Sequence, residues 1–128
     1  MTMLTFVLTY LGMRKVVFYK TESGKCPVEG FLDSLSSKQA QKAVWVLSIV
    51  EELDSVPSNY LKKLVNTDDI WEVRVNCSND IFRFLGFFDG PNLIILNHAF
   101  QKKTQKTPHT EIKTAEERKK DYLRRRHL

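Results

Sequence analysis

Cys26 and Cys77 are the only two cysteines in 128 residues. They are too sparse for a secreted disulfide scaffold and wrongly spaced for a zinc site. Both read as buried, reduced thiols, the pattern of a cytoplasmic protein. No apolar run reaches the length needed to span a bilayer. The uncharged stretch Met1–Gly12 is too short, and Arg14 and Lys15 follow it rather than precede it, so it is no signal peptide. Two readings of it stand: an extension upstream of a natural start at Met13, or an extra edge strand. Residues 13–128 then form the domain, and no membrane is involved.

Nucleotide and metal motifs are also missing. There is no G-x-x-x-x-G-K-[ST], no G-x-G-x-x-G and no H-E-x-x-H. His98, His109 and His127 are scattered and make no metal set, so neither a metal nor another cofactor is expected.

What is present begins with an ordinary core composition, 42% hydrophobic and 11% aromatic. A chain this long needs neither a disulfide nor a metal to fold. The charge is distributed unevenly. Residues 1–101 hold 10 Lys/Arg and 11 Asp/Glu, whereas residues 102–128 hold 10 and 4. A basic end of this kind fits a polyanionic partner (nucleic acid, an anionic surface or an acidic protein) and equally a solvated helix face.

Patterning predicts the elements. Arg14–Lys20 is β-branched and aromatic and reads as a strand. Pro27 opens a short helix that buries Phe31, Leu32 and Leu35. Ser36 and Gln39 form a capping box for a second helix, with Ala40, Ala43, Val44, Leu47, Val50 and Leu53 at helical spacing. Strands follow at Ile70–Val75, Ile81–Phe88 and Leu93–Phe100, separated by turns at Asn76–Asp80 and Asp89–Asn92. Thr107 and Pro108 introduce a basic helix whose narrow apolar stripe is Ile112, Ala115, Tyr122 and Leu123. The prediction is an α+β domain: an antiparallel sheet, two N-terminal helices packed on it, and a basic C-terminal helix.

The chemistry-bearing residues are cations on strands. Alternation places Arg83 with Ile81, Leu85 and Phe87, and Arg74 with Ile70 and Glu72. On adjacent strands Arg74 and Arg83 are neighbours, with Glu72 close enough to orient one of them. That is either a structural Arg–Glu pair or a phosphate-binding concavity, since guanidinium forks match phosphate oxygens. His98 is expected to share a face with Ile94, Leu96 and Phe100, as a semi-core histidine or as a catalytic one. Lys62, Lys63, Lys102, Lys103 and Lys106 read singly as solvated charge and together as the lining of one groove.

W-E-V-R (71–74), I-F-R-F (81–84), L-N-H-A-F-Q-K-K-T-Q-K-T-P (96–108) and E-I-x-x-A-x-x-R (111–118) resemble the RelE/ParE toxin superfamily. The similarity is strongest to its phage-derived HigB-like branch, and K-V-V-F-Y and P-V-E-G-F-L-D-S-L (27–35) extend it from Met13 to the C-terminus. The resemblance implies a RelE-like fold and a type II toxin that cleaves mRNA, usually on the ribosome, and is restrained by a helix-turn-helix antitoxin. It implies catalytic roles for Arg74, Arg83, Lys103 and His98. RNA contacts would come from Lys62, Lys63, Lys102, Lys106 and Arg124. RelE-like sites often include a C-terminal Tyr, whereas Tyr122 here lies inside the last helix. The cation set suits attack of a ribose 2′-OH on its own phosphate, and mutual repulsion would lower a lysine pKa. Two rivals remain: a ParE-like inhibitor of DNA gyrase, and a non-enzymatic basic module bound to RNA or ribosomes.

Overall fold

The computed structural model describes residues 13–126. The expectations for residues 1–12 and for His127 lie outside the described residues. In chain order the elements are β1 (Lys15–Phe18), α1 (Pro27–Asp33), α2 (Ser37–Glu52), β2 (Leu61–Lys63), β3 (Trp71–Cys77), β4 (Asp80–Phe88), β5 (Leu93–Gln101) and α3 (His109–Arg126).

The helices start where local chemistry tells them to. Pro27 sits in the first turn of α1, where its missing N–H costs nothing. The capping box at α2 is complete: Ser36 Oγ accepts from the Gln39 amide, and the Gln39 side chain accepts from the Ser36 amide. α2 buries Ala43, Val46, Leu47 and Val50. Val44, expected in the core, is exposed, because the buried stripe runs through Val46 instead. Phe31, Leu32 and Leu35 are half-buried and pack on the core edge, while Val28 is the α1 residue fully inside. Cys77 is buried as expected and Cys26 only half so.

The five strands form one sheet in the order β1-β5-β4-β3-β2. It is mixed rather than antiparallel, because β1 pairs parallel with β5, Lys15 opposite Leu93 through Phe18 opposite Leu96. Parallel neighbours require a long crossover, here the whole chain between them. The edge strand β2 was not foreseen. It pairs antiparallel with β3, Leu61 against Val73 and Lys62 against Glu72. The β3–β4 turn is shorter than expected, with Cys77 opposite Asp80 and Ser78 at a φ of 56°.

Alternation sorts side chains to two faces. Val73, Val75, Phe82, Phe84, Ile94 and Leu96 face α1 and α2 and form the main core. Ile70, Leu85 and Phe100 pack on Ala115 of α3, and Phe87 and Ile95 pack near Tyr122 and Leu123. The helices therefore cover both faces, α3 opposite α1 and α2. Each fully buried Phe or Leu contributes about 1.5–3 kcal/mol through removal from water.

A β-bulge in β5 corrects one expectation. Leu85 pairs with His98 but Gly86 pairs with Leu96, which leaves Asn97 as the extra residue. Beyond the bulge the strand's parity flips, so His98 faces α3 with Ile95 and Phe100, away from Ile94 and Leu96. Gly86 lies opposite. A Cβ there would stand 2.0 Å from the Ile95 carbonyl oxygen, so the strands approach too closely for any side chain.

Candidate functional site

On the α3 side of the sheet, toward β2 and beside the loop that leads into α3, lies a cluster of charge. Arg74 and Arg83 are direct cross-strand partners on β3 and β4. Like charges at such positions repel. Glu72, two residues before Arg74 on the same face, lies between them: its Oε1 is 3.5 Å from Nε of each arginine. Glu72 is only 2% exposed, and its Oε2 accepts a 2.5 Å hydrogen bond from Thr107 Oγ1. One buried carboxylate thus ties two arginines to the loop that leads into α3.

The two arginines differ in access. Arg83 is 5% exposed, and it donates through Nη1 to the Phe82 carbonyl at 3.0 Å and to Asn76 Oδ1 at 3.4 Å. Its Nε is at ion-pair distance from Glu72 without hydrogen-bond alignment, and among the described residues it has no other partner. Burial lowers the Arg83 pKa, opposed by Glu72 and assisted by Arg74. Arg74 keeps 30% of its side chain in solvent and is the accessible member of the pair.

Two lysines complete the cluster. Lys62 on β2 stands directly opposite Glu72 and so shares its face. Lys102 continues the ladder beyond β5, its amide donating to the Ile81 carbonyl at 2.7 Å. Burial and then the charges of Arg83, Arg74 and Lys62 hold the Lys102 ammonium below the usual lysine range, against the pull of Glu72. Four cations therefore gather around one carboxylate, an arrangement that attracts a phosphodiester and stabilises additional negative charge on it.

Other residues singled out from sequence lie elsewhere. Lys63 faces away from Lys62 and pairs with Asp69 at 2.9 Å. Lys103 and Lys106 are exposed in the loop and form no side-chain ion pair among the described residues. Arg124 pairs with Asp121 at 2.7 Å, about 22 Å along α3 from its start at the usual rise per residue. Tyr122 hydrogen-bonds Asp89 near that far end.

His98 is engaged with α3. Its Nε2 is 2.8 Å from Glu111 Oε1, its Nδ1 is 3.1 Å from Arg118 Nη1, and its ring stacks on Phe100. Arg118 can only donate, so Nδ1 accepts and Nε2 carries the proton toward Glu111. Arg118 also donates to the Asn97 carbonyl, and Asn97 Nδ2 donates to the Ala115 carbonyl. The bulge thus docks α3.

Sequence reasoning overlooked the Thr107 contact to Glu72 and read Thr107 only as a helix start. It also ranked Lys103 above Lys102. The period of two that places His98 and Phe100 on one face continues to Lys102 and excludes Lys103, a signal present in the sequence.

No described helix is long and apolar enough to cross a membrane. Among the described residues, no three His, Cys, Asp or Glu side chains gather as metal ligands would. No curated protein matches the chain. Residues 30–120 match the family model described as phage derived protein Gp49-like (DUF891). With most of its length matched, the chain belongs to the phage-derived Gp49-like family, a toxin-like family of the RelE group for which an antitoxin partner is implied.

Proposed function

We propose that the chain is the toxin of a type II toxin–antitoxin pair, with a RelE-like, HigB-type fold. It is an endoribonuclease that cuts mRNA on the ribosome without a metal and is restrained by a helix-turn-helix antitoxin. The observation that carries this reading is the gathering of Lys62, Arg74, Arg83 and Lys102 around buried Glu72 on one sheet face, with Arg74 and Lys62 open to solvent.

The chemistry follows from that set. Lys102, its pKa lowered by burial and by neighbouring cations, takes the proton from the ribose 2′-OH. The 2′-oxygen bonds to phosphorus and the bond from phosphorus to the 5′-oxygen breaks. Arg74 holds the non-bridging oxygens as they gain charge, and buried Arg83 adds a fixed positive field behind it. Lys62 supplies the proton to the leaving 5′-oxygen. The products are a 2′,3′-cyclic phosphate and a 5′-hydroxyl. Lys103 and Lys106 draw the strand in as long-range charge, while His98 serves to dock α3.

The test uses purified chain, ribosomes and an mRNA carrying a single 2′-deoxy substitution at a mapped cleavage position, in the presence of chelator. Cleavage of the all-ribose message with loss at the 2′-deoxy position supports the reading. Cleavage of both overturns the 2′-OH mechanism, and cleavage of neither by folded chain overturns the nuclease.

A further inference from the structure

We propose that the outer face of α2 is a self-association surface on which a second copy of this chain docks antiparallel. This inference is independent of the catalytic reading. Lys38, Gln41, Trp45, Ser48 and Glu52 recur along α2 at alternating steps of three and four, the spacing of a helix–helix seam. At its middle Val44 is 57% and Trp45 47% exposed, large apolar side chains on a surface helix. Trp45 is also held in place: its ring meets Tyr60 edge-on at 5.8 Å, and Lys42 Nζ lies 4.9 Å from its centroid. A rigid, half-exposed tryptophan costs little entropy to bury and is a typical interface anchor.

Charge along the helix decides the partner. α2 has no acidic residue in its first turn and no basic residue in its last. Lys38 instead lies at the positive end of the helix dipole and Glu52 at the negative end, the reverse of the favoured placement. Neither forms a salt bridge among the described residues. An antiparallel copy of α2 resolves both mismatches. Centred near Trp45, it brings each Lys38 to the other chain's carboxylate end and each Glu52 to its lysine end, while Val44 and Trp45 meet across the axis. Such a contact is isologous, the commonest symmetry of homodimers. One helix pair buries less than the roughly 1,200 Å² of a stable interface, so the dimer is weak and forms in the micromolar range.

Sedimentation velocity of the full chain across that range tests the proposal, with Lys38→Glu, Glu52→Lys, their combination, and Trp45→Ser. The expected result is a concentration-dependent dimer that each single charge reversal weakens about tenfold or more. The combined variant restores it and Trp45→Ser removes it. The charge variants leave thermal unfolding unchanged because Lys38 and Glu52 are exposed, whereas Trp45→Ser also loses the packing on Tyr60 and unfolds at a somewhat lower temperature. A monomer at every concentration overturns the proposal and leaves the face to a different chain. A dimer indifferent to Trp45→Ser and to the charge reversals overturns the assignment to α2.

Discussion

Arg74 and Arg83 face each other directly across the β3–β4 pair, and the nearest opposing charge to both is the single buried carboxylate of Glu72. Two guanidinium groups at adjacent strand positions repel, and that carboxylate is the counter-charge that offsets the repulsion. Thr107 holds it from the other side. The cluster is therefore an organised set of like charges around one counter-charge, the property expected of a site that handles a phosphodiester.

Glu72→Gln is expected to destabilise the protein by about 3–5 kcal/mol, since it leaves a buried arginine without its counter-charge. Thr107→Val removes one hydrogen bond to the same carboxylate and costs about 1.5–3 kcal/mol. Urea unfolding of the two variants measures both. A Glu72→Gln variant as stable as the parent contradicts the anchoring role.

Arg74→Ala and Lys102→Met are expected to lower cleavage at least about a hundredfold while changing stability by less than about 1 kcal/mol, because both side chains are partly solvated. In the parent, cleavage rises with pH as Lys102 loses its proton. The rise levels off below the ordinary lysine value of 10.5, since burial and Arg83 lower that pKa. A pH–rate profile of single-turnover cleavage checks this, and the rising limb disappears in Lys102→Met.

How much of this was legible in the sequence depends on the range of the interaction. The α2 capping box, Pro27 at the start of α1 and the two faces of β3 and β4 all arise within a few residues, and pattern reading finds them. The parallel pairing of β1 with β5 is set by partners nearly eighty residues apart and leaves no local trace. The three residues of β2 are too few to show a period, so Lys62 and Lys63 read alike although they face opposite ways. The bulge at Asn97 reverses the parity of β5 without any turn residue to announce it, and His98 was consequently assigned to the wrong face. The hydroxyl of Thr107 meets Glu72 across 35 residues, beyond what spacing conveys.

Gly86→Ala is expected to cost at least about 1–3 kcal/mol, because its methyl would collide with the Ile95 backbone and not with a side chain that can turn away. Thermal unfolding measures the loss. A neutral substitution would mean that β4 and β5 do not pair across the bulge as described.

Acid acts at the far end of α3. Asp121 accepts from Tyr19, Arg124 and Arg125 and ties that end to the residue that follows β1. Its hydrogen bonds, that from Arg125 first, depress its pKa from 3.8 to about 2. A depressed folded pKa gives stability that is present above the unfolded value and lost as pH falls from about 4 towards 2. Unfolding free energy followed over that interval should decline less steeply in Asp121→Asn than in the parent. Equal slopes would show that this contact does not couple folding to protonation.

The most direct test of the central claim is induction of the chain in cells beside an Arg74→Ala variant, with mapping of mRNA 5′ ends and a gyrase assay on the same lysates. The account predicts growth arrest with new mRNA ends in register with the reading frame, absent in the variant, and gyrase unaffected. Arrest with intact mRNA and inhibited gyrase would contradict it and identify a ParE-like poison built on the same site.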